Sequence, residues 1–214
     1  MKPLLLLLLT LLLKLPVAGP PVVRVMFSPL TKAAYLAAAK GVVVTKPTLT
    51  FPLKKVRGRI VIPTAKGPKV FQDKGVGTDD DDQAGFDYRG YSTVLKYHVV
   101  EGRYWEAFQC HLVGANGQQV SLPGLPEYSP DMQQFVVASA GIEVGFLPNS
   151  IQLFQLENGH WREVWKLEPS VEPATWEPDE IHWLSNSTLL LKKKMWTGPN
   201  PGNTFIYSRL TITP

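Results

Sequence analysis

Three groups of residues in this 214-residue chain have types and spacings that could do chemistry. Trp161, Glu163 and Trp165 fall at alternate positions of "GHWREVWKL", and alternate side chains of a strand share one face. Exposed, two indoles flanking a carboxylate would form a platform for a sugar ring, through apolar stacking and hydrogen bonds. Packed between sheets, each indole would instead bury roughly 150–250 Å². The apolar strands that hold Trp165 and Trp183 favour packing. The second group is acidic: Glu172, Glu177, Asp179 and Glu180 in the Pro-rich stretch "EPSVEPATWEPDE", which reads as a loop. Paired carboxylates there could supply the acid and base of a glycan-directed hydrolase. Nothing in the sequence fixes their separation, so an ordinary acidic loop is the simpler reading.

The third group is basic. Lys54, Lys55, Arg57 and Arg59 crowd into "PLKKVRGRIVIP", at the centre of an unusual charge layout. Residues 20–78 hold eleven Lys and Arg against one acid, a balance of +10, whereas 79–214 hold nine bases against seventeen acids, a balance of −8. These sum to +2, which is the whole-chain +4 less Lys2 and Lys14. Opposite patches attract at short range, so the halves could face each other in the fold. Left uncovered, the basic stretch would dock on an anionic surface such as a polysaccharide or lipid headgroups. Nucleic acid is not the expected partner of an exported protein.

Other chemistries lack their residues. The single cysteine, Cys110, rules out an intramolecular disulfide; it alternates with Phe108 and Leu112, which points to an apolar strand face. The four histidines, His98, His111, His160 and His182, show no zinc spacing. The aspartate run Asp79–Asp82 fails the calcium-loop template, because a loop opened at Asp80 places Tyr91 where a bidentate Glu is needed. No phosphate-binding, dinucleotide or nucleophile-elbow motif occurs. No metal, no cofactor and no catalytic residue is therefore expected.

The elements that must position these residues are mostly strands. Residues 1–19 read as a signal peptide: Lys2 supplies a positive start, and Pro3 to Leu13 form an apolar run too short to span a bilayer. The expected address is secreted or periplasmic. About 195 residues (214 less 19) then remain for folding, enough for one sizeable core. "VVRVMF" reads as a strand, and "LTKAAYLAAAKG" as a short helix capped by Thr31 and stopped by Gly41. Residues 20–78 form a basic N-terminal β segment and 79–214 a β domain, the two making one folded unit. Lys66 to Gly85 is the expected linker. After it, β-branched runs alternate with turn signals, Asn116-Gly117 and Asn158-Gly159 among them.

One unit recurs. "YSPDMQQFVV" from Tyr128 matches "WLSNSTLLL" from Trp183 in kind: an aromatic strand end, a polar turn, then an aliphatic strand. "YSPDMQQFVVAS" resembles the strand-turn-strand core of TolB-type and WD-like β-propeller repeats, over residues 93–213 at most. Met132 and Gln133 stand where such repeats usually carry Gly and Lys, at a position that often needs a positive φ. The chain also resembles uncharacterised secreted bacterial proteins in layout, which implies no activity. The expectation is an all-β protein of antiparallel blade-like sheets, a small or incomplete propeller, with "GRIVIP" closing the final sheet. A β-sandwich or open meander is the alternative. By function, a non-enzymatic binding or envelope-associated module is the first expectation and the hydrolase the second.

Overall fold

The computed structural model describes residues 23–143, 145, 147–169 and 176–213. The expected signal peptide, and Glu172 of the acidic stretch, lie outside them. The chain opens with β1 (Arg24–Leu30), helix α1 (Lys32–Ala39), β2 (Leu49–Thr50), β3 (Arg59–Ile62) and β4 (Lys69–Gln72). A meander follows of β5 (Ala84–Ser92), β6 (Tyr97–Tyr104), β7 (Phe108–Gly114) and β8 (Gln119–Leu122). Next come β9 (Glu127–Tyr128), β10 (Gln134–Ser139), β11 (Ser150–Glu157) and β12 (His160–Leu167). The chain closes with β13 (Trp176–Ser185), β14 (Thr188–Met195) and β15 (Thr204–Thr213).

These strands form antiparallel sheets, as the sequence predicts. The first is ordered β2-β5-β6-β7-β8, the middle β12-β11-β10-β9 and the terminal β1-β15-β14-β13; β3 and β4 pair alone as a hairpin. Period-2 burial explains how they stack. In β10, Phe135 and Val137 point one way, to join Tyr97, Cys110 and Leu112 of the first sheet, while Val136 points the other way, to Leu189, Leu191 and Leu210 of the terminal sheet. On the far face of the first sheet, Phe86, Val100 and Val113 close over Ile60, Ile62 and Phe71 of the hairpin. The order of layers is therefore hairpin, first sheet, middle sheet, terminal sheet, with an apolar core in each gap.

Two expectations change. The "GRIVIP" strand does not close the final sheet; as β3 it pairs with β4, its neighbour across the short 63–68 connection. β1 closes that sheet instead, in unbroken register with β15 from Arg24↔Thr213 to Leu30↔Tyr207. This register sets Val25 and Phe27 against the core between middle and terminal sheets. Lys66 to Gly85 is not a plain linker either, since it holds β4 and a Lys74↔Ala84 bridge.

Between α1 and the hairpin, one extended stretch ties the layers together. The Val43 N–H donates to the Trp183 carbonyl of β13 at 2.9 Å. Thr45 then bridges Tyr128 of β9, and Leu49 and Thr50 pair with Ser92 and Tyr91 of β5. Exposed strand edges invite pairing with other chains. Here a single segment covers edge strands of three sheets in turn.

Candidate functional site

The basic hairpin is the outermost layer. The chain enters it through a two-residue turn at its open end: Val56 and Arg59 exchange backbone hydrogen bonds at 2.9 and 3.0 Å, and Arg57 and Gly58 between them have φ of 50° and 73°. Two successive positive φ values give the type I′ geometry that matches strand twist, and Asn-Gly is its usual occupant. Arginine in the left-handed region costs about 1–2 kcal/mol. The local sequence accepts that cost and so holds a guanidinium at the turn.

The four basic residues divide by environment. Lys55 is tied down: its Nζ bonds the Asp73 carboxylate at 2.6 Å and the Phe86 carbonyl at 2.7 Å. Burial pushes the Asp73 carboxyl up, but the Lys55 hydrogen bond, the Phe86 N–H and the nearby cationic charges outweigh it and hold Asp73 below the usual carboxylate range. Lys54, Arg57 and Arg59 are exposed, and none has a carboxylate partner among the described residues. The outward face of the hairpin adds Val61 and Val70 in direct register, 40% and 43% exposed. Phe51 and Val56, which bracket Lys54 and Lys55 in the chain, are 69% and 63% exposed.

The two charge halves do not neutralise each other through ion pairs. Among the described residues, Lys74–Asp82 is the only pair joining a base of 20–78 to an acid of 79–214. The other ion-paired acids of the second half hold bases of their own half.

The tryptophan platform does not assemble. Trp161 is 3% exposed and packs edge-on against Phe135, ring centroids 4.5 Å apart, between the first and middle sheets. Trp165 lies on the opposite face, toward the terminal sheet, with Phe27 at 6.3 Å. A register shift between Leu153 and Phe154 separates them: Leu153 pairs with Trp165 but Phe154 with Glu163. One extra residue in a strand flips every later side chain. Glu163 stays exposed and accepts a hydrogen bond from the Gln152 amide at 2.6 Å.

The acidic stretch is a strand from Trp176 onward rather than a loop. Asp179 and Glu180 both hold Lys192, at 2.6 and 2.8 Å, and Tyr35 of α1 donates its hydroxyl to Glu180 at 3.3 Å. These two carboxylates keep the Lys192 ammonium above its ordinary pKa. Glu177 is 2% exposed; it accepts the Ile142 N–H at 3.1 Å and lies 3.7 Å from Lys194, which also holds Glu143 at 2.7 Å.

Sequence reasoning passed over the residue between those two lysines. In "LLLKKKM", Leu189 and Leu191 face the core, and the same period-2 count carries Lys193 inward. That count was available from the sequence alone.

Two of the four histidines, His98 and His111, serve buried networks. His98 Nδ1 lies 2.9 Å from the Tyr88 hydroxyl, and His111 bridges Tyr104 at 3.1 Å and Ser121 at 2.9 Å. Burial lowers the pKa of both rings. Cys110 is fully buried, and burial, helped by the Glu101 charge, pushes its thiol up to about 12. No protein-family model, curated protein or solved structure matches the chain.

Proposed function

We propose that the chain is a non-enzymatic, extracytoplasmic binding module that docks on an anionic envelope surface through the β3–β4 hairpin. The observation that carries this reading is the set of exposed cations Lys54, Arg57 and Arg59, unpaired among the described residues, on the outermost layer of the stack. The exposed Phe51, Val56, Val61 and Val70 make the patch amphipathic and favour lipid headgroups over a purely polar polyanion. The signal-peptide character of residues 1–19 supports the address. The sheets serve as blades of an incomplete propeller, a scaffold whose end layer is given over to contact.

Sedimentation with vesicles tests the reading. Binding to vesicles of mixed anionic and zwitterionic lipid is expected, weakening as salt rises, with none to zwitterionic vesicles. Each Lys or Arg near an anionic surface contributes about 1 kcal/mol. The triple variant K54Q/R57Q/R59Q should therefore bind roughly 100-fold more weakly, at about 1.4 kcal/mol per tenfold. Equal binding by the variant, or preference for a soluble acidic polysaccharide over the anionic vesicles, would reject the lipid surface.

A further inference from the structure

A second feature lies in the terminal sheet, away from the hairpin. β1 leaves the sheet at Leu30↔Tyr207, and the chain turns into α1. β15, however, begins at Thr204, where it pairs with Met195 of β14. Thr204, Phe205 and Ile206 are thus covered on the β14 side only, with no strand beside them on the other among the described residues. A groove of about 790 Å³ occupies this notch, within the usual size of ligand sites. Phe27, Leu30, Phe205 and Ile206 supply its apolar wall, and Phe205 and Ile206 are 37% and 41% exposed. Its lining holds two lysines, Lys32 and Lys193, and no acid.

Lys193 is the unusual member. It is only 9% exposed, yet no carboxylate or hydrogen-bond acceptor meets its ammonium among the described residues. Its Nζ instead lies over two aromatic rings, 4.7 Å from the Trp176 centroid and 5.1 Å from that of Phe27. Lys192 and Lys194 on either side both have carboxylates. Ring faces stabilise a cation less than they would need to replace its lost water, and burial accordingly lowers the pKa of this lysine. An anion entering the groove would supply the missing partner.

We propose that this notch is a docking site for the C-terminal tail of an extended polypeptide. The tail adds its backbone to the open edge of β15, and its terminal carboxylate meets Lys193. Three observations select this occupant. The unpaired edge offers main-chain hydrogen bonds, the mode by which strands recruit peptides. The apolar wall accepts alternate side chains. Leu30 of β1 already fills the place beside Tyr207, so the docked chain must stop beside Ile206, the residue that pairs with Lys193. A chain that stops beside an ammonium is favoured as a carboxyl terminus and disfavoured as an amino terminus, which orients the tail parallel to β15.

The test uses the full chain and an array of heptapeptides with apolar final residues, each made with a free carboxylate and as the matched amide. Free-acid peptides are expected to bind, and their amides at least tenfold more weakly. Lys193→Met keeps the side-chain length without the charge; with folding checked by circular dichroism, it should abolish the acid-over-amide preference. The hairpin variant K54Q/R57Q/R59Q should keep it, which separates this site from the surface proposed above. Equal binding of acid and amide, an unchanged preference in K193M, or no free-acid peptide bound anywhere on the array would each overturn the proposal. Full displacement of peptide by a simple aliphatic carboxylate would assign the site to small acids and reject a peptide tail.

Discussion

The backbone N–H of Asp131 donates to the side-chain oxygen of Asn186 at 3.0 Å, joining the turn between β9 and β10 to the turn between β13 and β14. These are the two copies of the recurring strand-turn-strand unit, one in the middle sheet and one in the terminal sheet. The first turn is also knit internally: Ser129 Oγ bonds Asp131 at 2.7 Å and accepts the Gln134 N–H at 3.0 Å. The unit therefore sets adjacent layers in register as well as reversing the chain.

Asn186→Ala removes that link and nothing in a core. A single exposed hydrogen bond contributes about 0.5–1.5 kcal/mol, so the variant should lose stability within that range. Urea unfolding at an unchanged m-value measures it. Loss of several kcal/mol would mean that the turns carry more of the layer packing than this contact explains.

Arg57→Asn separates stability from binding. Asn tolerates the left-handed region that Arg57 occupies at φ 50° and restores the favoured Asn-Gly turn. We expect the variant to be more stable by about 0.5–1 kcal/mol, yet to bind anionic vesicles more weakly because a charge of the basic turn is gone. Thermal unfolding and vesicle sedimentation on one sample read both effects. A gain in both would remove Arg57 from the docking surface.

Cys110 should be inert to thiol reagents in the folded chain at pH 8 and react fully once unfolded, because it is fully buried and its thiol is held protonated. The folded pKa, about 12, is raised above the ordinary thiol value of 9.0. The stability linked to this thiol is therefore complete below the unfolded pKa and is lost as pH rises toward the folded one. Cys110→Ala should flatten the alkaline fall in unfolding midpoint between pH 9 and 11, at which the wild type loses more.

The buried histidines act at the other end. Burial lowers the pKa of His98 and His111, so their contribution is present above the unfolded histidine value, about 6.5, and fades as pH falls below it. Asp73, also lowered, loses its contribution only below the ordinary carboxylate value, about 3.9. Between pH 7.5 and 5 the unfolding midpoint should therefore drop through the histidines, and His98→Gln should reduce the drop. An unchanged pH dependence in that variant would exclude His98 as a contributor.

The strands were legible because local signals agree in them: period-2 burial in β10 and β14, Asn158-Gly159 at φ 51° and 78° between β11 and β12, and Thr31 capping α1 through the Ala34 N–H at 3.1 Å. The Phe135 and Val137 core was legible on the same grounds. Long-range choices were not. No local feature says that β1 pairs with β15 while β3 takes the nearer β4, since both are short apolar strands and the decision rests on packing. The register shift beside Leu153 is likewise invisible in sequence, and it alone undoes the shared face of Trp161 and Trp165. At the turn after Ser129, the glycine expected from the repeat is absent, but Met132 adopts a φ of 55° all the same. Tertiary packing imposes there what the residue type resists.

The pairing of β1 with β15 also shapes the order of assembly. Among the described strands, β1 is synthesised first, yet its partner emerges last. Until then, Val25 and Phe27 have no core to enter, and the edge of β1 is open to the wrong strand. Contacts so distant in sequence are slow to form because loop closure must precede their gain. The terminal sheet is thus the step that commits the fold, and it comes only once the whole described chain is available.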